Sequence, residues 1–586
     1  MSIKLFHDSH HTSYRSPFGA VPAGSSLTLS LRVQEPGGDK VQVFARLWQD
    51  NQGETLVPMA PAAWDQELYT MTTVVPEAGC LLWYYFEVWQ GGRTWYYGNN
   101  PARQGGIGAE YQDEPPSYQV TVYDRDAVTP AWAKRAVAYQ IFPDRFYRGA
   151  SATTQLTGKH GAVLHSCWDD APCYCKDAQG NVVQYDFFGG NLAGITAKLP
   201  YLQDLGVTLL YLNPIFASRS NHRYDTSDYK NIDSFLGTNA EFAALCRETQ
   251  ARGLRLILDG VFSHTGDDSR YFNKYGTYPE PGAYQSQDSP YYAWYKFNKY
   301  PDDYKSWWGV KVLPEVEETT PSYLDFIIRS KDSVLKYWLR QGISGWRLDV
   351  ADELPPAFLE QFYQTLKAED PEALLIGEVW EDASNKVSYG QQRAYLSGHK
   401  LDGVMNYVLR KTLLDFILGQ QDAEATAAAY GQLCENYPPQ NLAAMLNILG
   451  SHDVPRLLTV LSAQVAESVA LQRVQLAALW QFTLPGIPCI YYGDEAGVQG
   501  GTDPDNRRTY PWGKEKLQLR EWYRQLARVR REHPALATGR YVPLLARGEV
   551  LVYARVNEGG ADQFGQAAPD EVLLVALNRG SEAHTV

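Results

Sequence analysis

Eight short apolar segments recur through this 586-residue chain and constrain its fold more than any other feature. Helical stretches separate most of them, and each segment is long enough for one strand. Strands that alternate with helices are typical of a parallel sheet, and eight such alternations predict a (β/α)8 TIM barrel of the α/β class. We place this barrel at residues 127–536. The segments read AVAYQIF, VTLLYLN, LRLILD, ISGWRLD, ALLIGE, LDGVMN, LNILGSHD and PCIYYGD.

The sequence on either side of the barrel has a different pattern. Short β-rich runs with turn signals predict an N-terminal β-sandwich over residues 1–126. A long aromatic and proline-rich stretch follows the third barrel segment and predicts an inserted domain B at about 265–322. After the barrel, three strand-like runs predict a C-terminal β-domain over 537–586. Three strands are few for an independent sandwich, so we expect this domain to be truncated.

Composition excludes some classes of partner. The formal net charge is −14 and no run of Lys and Arg stands out, which argues against nucleic acid and anionic membranes as partners. The N-terminus lacks the pattern of a signal peptide, and no apolar stretch approaches the roughly 18 residues needed to span a bilayer. We therefore expect a cytoplasmic protein with a neutral partner.

The seven cysteines do not predict a disulfide framework, because their number is odd and their spacing is scattered. Cys167, Cys173 and Cys175 lie close together in sequence. A zinc site requires a fourth ligand at a set spacing, and none follows. Free thiols in a loop are the interpretation we adopt, with no metal site.

Polar residues end several of the apolar strands. Asp259, Asp349 and Glu378 each close one segment, and His452 with Asp453 closes another. A single aspartate at a strand end is commonly a helix cap or a turn former. Barrel enzymes carry their catalytic groups at the carboxyl ends of the strands, so four such ends together predict an active site.

Two of these carboxylates have different local settings. Arg347 and Asp349 are two apart in a strand, so both side chains point towards the barrel mouth. A structural ion pair is one interpretation, and a nucleophile that Arg347 holds ionised is the other. Glu378 lies between apolar neighbours, which would favour its protonated form. Opposed settings of this kind separate an acid from a nucleophile. For a glycosidic bond, such a pair would act with retention when the carboxyls lie about 5 to 5.5 Å apart and with inversion when they lie further apart.

Four motifs carry a resemblance to a known family. DGVFSH (259–264), GWRLDVADE (345–353), GEVW (377–380) and GSHDVPR (450–456) resemble the four conserved regions of the α-amylase superfamily, glycoside hydrolase family thirteen. Further signatures match at QIFPDRF, FFGGNLAGI, NHRYDTSDY and GIPCIYYGDEAG. The chain is most similar to the neopullulanase, cyclomaltodextrinase and maltogenic amylase group. Members of that group have an N-terminal β-sandwich, a barrel with domain B and a C-terminal β-domain.

The resemblance implies roles for individual residues. Asp349 would be the nucleophile, Glu378 the general acid/base, and Asp453 the carboxylate that binds sugar hydroxyls and helps to distort the ring. A second set would hold the substrate or position the first set. It comprises Arg347 beside Asp349, Asp259 at the barrel mouth, His264, His452 and Tyr224 at subsite −1, and Asp503 with Arg507 at subsite −2.

Departures from the family pattern leave some properties open. The calcium-binding run after the first strand reads RGASATT (148–154), and the later GGD reads Gly189, Gly190, Asn191, so we expect no calcium and no other cofactor. The acceptor-side segments read LPEVEE (313–318) and VADE (350–353), which leaves the preference for α-1,4 or α-1,6 bonds open. Trp380 either forms the floor of the acceptor site or packs in the core.

The aromatic stretch at 81–100 allows three interpretations: a starch-binding face, core packing, or a contact with the barrel. The resemblance also allows a homodimer formed through this N-terminal domain.

The leading hypothesis for the chain is a retaining hydrolase of α-1,4-glucosidic bonds in starch, maltooligosaccharides, cyclodextrins or pullulan. A transglycosylase or isomerase on the same site, and an inactive glycan-binding barrel, are the alternatives.

Overall fold

The computed structural model describes residues 3–34, 41–50, 52–151, 153–159, 161–180 and 182–585. Within these ranges, every helix is too short or too polar to cross a lipid bilayer. All seven cysteines lie in the described part of the chain and carry free thiols.

The central domain is a parallel barrel of eight strands, as the sequence predicts. Around the barrel the strands follow the order β6, β5, β4, β3, β2, β1, β8, β7. A parallel bridge between Met405 and Leu446 joins β6 to β7 and closes the sheet. The strands are β1 (Ala138–Ile141), β2 (Leu209–Leu212), β3 (Arg255–Gly260), β4 (Gly345–Leu348), β5 (Leu374–Gly377), β6 (Gly403–Val404), β7 (Leu446–Ile448) and β8 (Ile487–Tyr491).

The inside of the barrel is apolar up to its mouth. Side chains alternate along a strand, so every second residue points inward. In β5 the inward positions Leu374 and Ile376 pack in the interior, and the next position with the same parity is Glu378. Ile257 in β3 leads to Asp259 in the same way. Strand parity therefore places the carboxylates at the mouth, directly above the packed interior.

Helices surround the barrel, and their ends carry local signals. Thr238 and Glu241 form a capping box at the start of one helix, and Gly342 ends another with a φ of 107°. The longer helices are α1 (Leu192–Asp204), α2 (Asn239–Ala251), α3 (Val334–Gln341), α4 (Pro356–Glu369), α5 (Tyr407–Leu418), α6 (Ala423–Asn436), α7 (Leu457–Ser462), α8 (Glu467–Thr483) and α9 (Leu517–Glu532). One-turn helices lie at Pro143–Phe146, Pro321–Leu324, Pro439–Leu442 and Pro534–Thr538, 3-10 turns at Ala133–Arg135, Tyr292–Trp294, Trp307–Gly309 and Asp505–Arg507, and a π-turn at Asp325–Arg329.

One of the predicted alternations of strand and helix is wrong, between β5 and β6. Residues 378–402, which connect β5 to β6 and are all described, contain no helix. A hairpin of two short strands, Val387–Ser388 and Gln391–Gln392, lies there instead. The stretch contains seven charged residues, three Ser and two Gly and has no apolar stripe at helical spacing, so a helix there would have no face to bury.

Three long loops rise above the barrel mouth. The loop after β1 carries a three-stranded sheet that the sequence did not predict, formed by Ala162–Leu164, Tyr174–Lys176 and Val182–Phe187. The loop after β2 forms a hairpin of Phe216–Ser218 and Thr226–Ile232. The predicted domain B after β3 holds a hairpin of Phe297–Lys299 and Asp303–Tyr304 and packs around aromatic rings, with Phe272 4.7 Å from Tyr304 between ring centroids.

The N-terminal region forms antiparallel sheets around a core of its own. Strand Gly53–Ala62 pairs with Gln42–Gln49 along one part and with Asp65–Val74 along the other, so it passes from one sheet to the next. The remaining strands are Lys4–Phe6, Arg15–Ser16, Val21–Pro22, Ser26–Gln34, Cys80–Gln90, Arg93–Gly98, Ala109–Tyr111 and Tyr118–Tyr123.

The aromatic stretch at 81–100 takes part in two kinds of contact. Tyr84 and Phe86 are buried in the core of the N-terminal domain. Trp83 has the opposite parity and, with Trp48, lines a cavity of about 530 Å³ that Asn385 and Asn436 of the barrel also line. Core packing and a domain contact therefore both occur in this stretch.

The C-terminal region forms a three-stranded antiparallel sheet of β9 (Arg540–Arg547), β10 (Val550–Asn557) and β11 (Glu571–Asn578). Arg555 of β10 is fully buried, and its guanidinium donates to the carbonyl oxygens of Thr483 and Leu536 at 2.7 and 2.8 Å. These bonds attach the sheet to the end of α8 and to the one-turn helix Pro534–Thr538.

Candidate active site

One buried guanidinium lies at the centre of the barrel mouth. Arg347 Nη1 donates to Asp259 Oδ1 at 2.7 Å and to Asp349 Oδ1 at 2.8 Å. Its Nη2 lies 2.7 Å from Glu378 Oε2. The predicted pairing of Arg347 with Asp349 is present, but Asp259 and Glu378 share the same cation.

This arrangement leaves negative charge in excess. Burial raises the pKa of Asp349 well above its ordinary value, and the charges of Glu378 and Asp259 raise it further against the attraction of Arg347. Burial also raises the pKa of Asp259, against the opposing effect of Arg347. The single positive charge of this guanidinium faces three buried carboxylates and does not balance their ionised forms. This differs from the expectation that Arg347 simply keeps Asp349 ionised.

Glu378 does not occupy the apolar setting that its sequence neighbours suggested. Its Oε2 accepts a hydrogen bond from the Val350 N–H at 2.8 Å, and its Oε1 accepts one from Trp380 Nε1 at 3.0 Å. Val350 has a φ of 36°, a strained conformation for a β-branched residue. The strained turn directly after Asp349 thus aims a backbone donor at the second carboxylate.

A hydrogen-bond chain connects the cluster to His452. Gln140 Nε2 donates to His452 Nδ1 at 3.0 Å, so the proton of the ring lies on Nε2, which is 2.6 Å from the Tyr224 hydroxyl oxygen. That hydroxyl donates to Asp259 Oδ2 at 2.9 Å. Burial, with the charges of Arg507 and Arg347, lowers the pKa of His452 well below its usual value. His452 is therefore a neutral ring whose Nε2–H donates to the Tyr224 hydroxyl oxygen.

Tyr224 offers a flat surface beside this donor. Its ring is half-buried and lies nearly parallel to that of His452, at 4° and 5.3 Å between centroids. His264 Nε2 donates to the Tyr224 carbonyl at 3.1 Å, and its Nδ1 lies 3.0 Å from Ser263 Oγ. Burial lowers the pKa of His264 to about 4, so this ring is neutral too. In the structure His264 positions Tyr224, and sugar binding by His264 stays a prediction.

The other predicted binding residues lie along one wall. Asp453 has 28% of its side chain exposed, and its Oδ1 is 3.9 Å from Arg507 Nη2. Arg507 Nη1 pairs with Asp503 Oδ1 at 2.9 Å. Tyr174 lies between them, because its hydroxyl donates to Asp503 Oδ1 at 3.0 Å and accepts from Arg507 Nη1 at 3.1 Å. Tyr174 belongs to the unpredicted sheet after β1, and no sequence signal identified it.

Trp380 is 45% exposed, so it is not a core residue. Its ring stacks on that of Tyr407 at 3.8 Å between centroids, which holds one face of the indole against the barrel mouth. The structure thus favours the acceptor-site interpretation of this residue over the buried one.

An aromatic rim lies beyond Trp380. Trp308 of domain B is 77% exposed and stacks on Trp307 at 5.1 Å between centroids. The Trp308 indole donates to Glu353 Oε1 at 3.0 Å, and the Tyr389 hydroxyl donates to Glu353 Oε2 at 2.6 Å. Three loops, after β3, β4 and β5, therefore meet at Glu353. The VADE segment, which contains Glu353, was the only part of this rim that the sequence identified. No sequence signal identified Trp308 or Tyr389.

The loop that carries calcium in the resembling family has other contacts here. Asn191 Oδ1 caps α1 by accepting from the Gly194 N–H at 2.7 Å, and its Nδ2 donates to the Gly149 carbonyl at 2.9 Å. The nearby Glu241 accepts from the hydroxyl groups of Ser151 and Thr153. Residue 152 lies outside the described residues. These oxygens are used within the protein, and the absence of calcium stays a prediction.

The predicted site residues form one continuous chain of contacts. It runs from Asp503 through Arg507, Asp453, His452, Tyr224, Asp259 and Arg347 to Asp349, Glu378 and Trp380, with His264 attached at Tyr224. The arrangement offers carboxylates for proton transfer and nucleophilic attack, neutral donors for hydroxyl groups, and aromatic surfaces for sugar rings.

Most of the barrel matches a known protein family. Residues 140–528 match the family described as alpha amylase, catalytic domain. The chain is 38% identical to the amylopullulanase of Thermoanaerobacter thermohydrosulfuricus, over 98% of this chain and 42% of that protein. It is 32% identical to neopullulanase 2 of Thermoactinomyces vulgaris, over 99% of this chain and 92% of that protein. The chain therefore spans less than half of the first relative but nearly all of the second.

A solved structure matches almost the whole chain. It is a cyclomaltodextrinase that is 28% identical, with a TM-score of 0.66, over 98% of this chain and 91% of that one. These matches confirm the resemblance and the fold class that the motifs predicted.

Proposed function

The chain belongs to the α-amylase family, and on that premise we propose that it is a retaining hydrolase that cleaves α-1,4-glucosidic bonds of α-glucans. One observation carries the proposal: Asp349 and Glu378 contact different nitrogens of the single Arg347 guanidinium. Retaining enzymes hold their two carboxyl groups about 5 to 5.5 Å apart, and a shared guanidinium keeps this pair close.

In the first step the ionised Asp349 attacks the anomeric carbon. Glu378 donates its proton to the glycosidic oxygen, which leaves with the bonding electron pair, and a covalent glucosyl-Asp349 forms. In the second step Glu378 removes a proton from water, whose oxygen attacks the anomeric carbon and releases Asp349. This cycle requires a proton on Glu378 and an ionised Asp349 when substrate binds.

The neighbouring groups would bind the sugar before and during reaction. His452, a neutral donor, and Asp453, an acceptor open to the cleft, would bind hydroxyl groups of the ring at subsite −1, above the Tyr224 platform. Asp503 and Arg507, with Tyr174, would hold the next ring. Because the oxygens described above for the loop after β1 are used within the protein, we propose that the reaction proceeds without calcium.

Transglycosylation is a second candidate outcome, and the aromatic rim favours it. A sugar stacked on Trp380 or Trp308 would lie where water must attack the covalent intermediate, and its hydroxyl would then replace water. The inactive glycan-binding alternative has less support, because the three carboxylates and their contacts are intact.

The test is incubation with soluble starch, cyclodextrin and pullulan, with products resolved by chromatography. The names of the relatives, amylopullulanase, neopullulanase and cyclomaltodextrinase, motivate this panel. We expect maltooligosaccharides from starch, released first as the α-anomer in proton NMR spectra. Panose from pullulan would indicate cleavage of α-1,4 bonds in that polymer, and maltotriose would indicate cleavage of α-1,6 bonds. No reducing sugar from any substrate would overturn the proposal, and an initial β-anomer would overturn retention.

Replacing the nucleophile provides the matching variant test. We expect Asp349→Asn to lower kcat by at least about 10⁴-fold, as removal of a catalytic nucleophile does elsewhere, while circular dichroism shows an unchanged fold. Asp126→Asn, which alters a carboxylate that is 78% exposed, is the control and should keep full activity. Retained activity in Asp349→Asn would refute the assignment.

A further inference from the structure

We propose that His165, Cys173 and Asp186, in the loop between β1 and α1, bind a divalent transition metal of the zinc class. Among the described residues these three form a group whose potential ligand atoms all lie within 4.8 Å of one another. They lie outside the carboxylate cluster at Arg347 and take no part in the proposed reaction.

The distances suit a small metal ion. His165 Nε2 lies 3.1 Å from Asp186 Oδ2, and the Cys173 N–H donates to the same oxygen at 2.9 Å. Zinc bonds of about 2.0 to 2.3 Å place the ligand atoms of a tetrahedral site roughly 3 to 4 Å apart. The imidazole and the carboxylate already have this separation, and the exposed Cys173 thiol lies within 4.8 Å of both.

The groups behind the ligands are arranged as they are around metal-binding histidines. His165 Nδ1 lies 3.0 Å from Asp170 Oδ2, so Asp170 holds the ring with Nε2 facing Asp186. Metal-ligating histidines nearly always make such a bond to a carboxylate or carbonyl through the second nitrogen. Asp186 Oδ1 accepts from Arg145 Nη2 and Asn221 Nδ2, both at 2.9 Å. Oδ2 accepts one backbone bond, from the Cys173 N–H, and keeps a lone pair for the metal.

The types of ligand select the class of metal. A thiol and an imidazole exclude calcium and magnesium, which prefer oxygen, and together with one carboxylate they suit zinc, with water in the fourth position. The charge of Arg145 is balanced by Asp144, whose Oδ2 accepts from Arg145 Nε at 2.7 Å. The sequence does not identify Cys173 as a ligand, because His165 and Asp186 lie at spacings that no common zinc motif uses.

The site has a consequence for substrate binding that rests on the proposed function. Strand Tyr174–Lys176 begins directly after Cys173 and pairs with the strand that carries Asp186. Tyr174 contacts Asp503 and Arg507 through its hydroxyl. A metal that joins Cys173 to His165 and Asp186 would fix this strand and hold Tyr174 at the sugar-binding wall.

The test uses the full chain, stripped with a chelator and titrated with Co²⁺ under reducing conditions. We expect one equivalent to bind, with a thiolate-to-cobalt charge-transfer band that added Zn²⁺ removes. Cys173→Ser should abolish the band, and Asp170→Asn should weaken binding by about 10- to 100-fold. Cys167→Ser, an exposed thiol in the same loop, is the control and should bind as the unaltered protein does. The absence of a band, or its survival in Cys173→Ser, would overturn the site.

A second measurement separates the metal site from the proposed function. The zinc-loaded protein should have a several-fold lower KM for maltooligosaccharides than the stripped protein, with similar kcat, and Cys173→Ser should show no such difference. Metal binding without a change in KM would overturn the link to Tyr174. Absence of turnover in both forms, with metal bound, would overturn the proposed function and leave the site in place.

Discussion

At the scale of single residues, the charge balance around Arg347 controls the chemistry. Its guanidinium contacts three carboxylates, and burial keeps water from screening their repulsion. Burial, followed by the charges of Glu378 and Asp259, raises the pKa of Asp349 against the attraction of Arg347. Because a nucleophile must be ionised, activity should fall as the pH falls through this raised pKa, above the range of an ordinary aspartate.

Asp259→Asn tests this charge balance. Removing one negative charge beside Asp349 stabilises its ionised form, so its pKa falls. We expect the acid limb of kcat/KM to move to lower pH by roughly one unit, with a reduced maximum because Tyr224 and Arg347 lose a charged partner. The pH profile of Asp126→Asn should match that of the unaltered protein. A limb that stays in place or moves to higher pH would contradict the charge-sharing argument.

At the scale of elements, the loops decide what the barrel binds. The barrel strands present the carboxylates, but the rim at Glu353 is formed by loops after β3, β4 and β5. The absence of a helix between β5 and β6 has a role here, because the hairpin in its place carries Tyr389 to the rim.

Trp308→Ala tests the rim. The exposed indole offers a stacking surface worth about 1 kcal/mol for a sugar ring, so its loss should raise KM for long maltooligosaccharides by about 5- to 10-fold. Short substrates that do not reach the rim should be cleaved as before. Trp64→Ala, which removes a tryptophan that is 78% exposed in the N-terminal domain, is the matched control. Equal effects on long and short substrates would argue against an acceptor role.

At the scale of the whole molecule, a buried ion pair joins the N-terminal domain to the barrel. The Arg15 guanidinium donates to Glu435 of α6, and both side chains are almost completely buried. Burial alone would raise the pKa of Glu435, but Arg15 and His10 hold it below its ordinary value. The stabilisation is therefore present above the carboxyl's unfolded pKa and is lost as the pH falls below it.

Arg15→Met tests this junction by leaving Glu435 buried without its partner. We expect the free energy of unfolding at neutral pH to fall by about 3 to 5 kcal/mol in denaturant titrations. Arg32→Met breaks the more exposed pair with Asp65 and should cost about 1 kcal/mol or less. Similar losses in the two variants would show that the domain junction is not a special source of stability.

Dimerisation through the N-terminal domain stays a prediction, and sedimentation analysis would check it.

The sequence by itself determined the barrel and its catalytic edge, because side-chain direction in a strand has a period of two residues. An apolar run such as ALLIG therefore indicates both the strand and the inward position of Glu378 after it. The motifs then identified the family, and the structure joins all the predicted site residues in one chain of contacts.

Only the tertiary structure decided which groups meet across loops. Tyr174 reaches Asp503, and Trp308 reaches Glu353, from segments that have no periodic pattern and lie far apart in the chain. The same holds for His165 and Asp186, which complete a cluster that Cys173 alone did not reveal. The electrostatics of Asp349 also depended on the fold, since the number of carboxylates around Arg347 is set by three separate strands and by the burial they share.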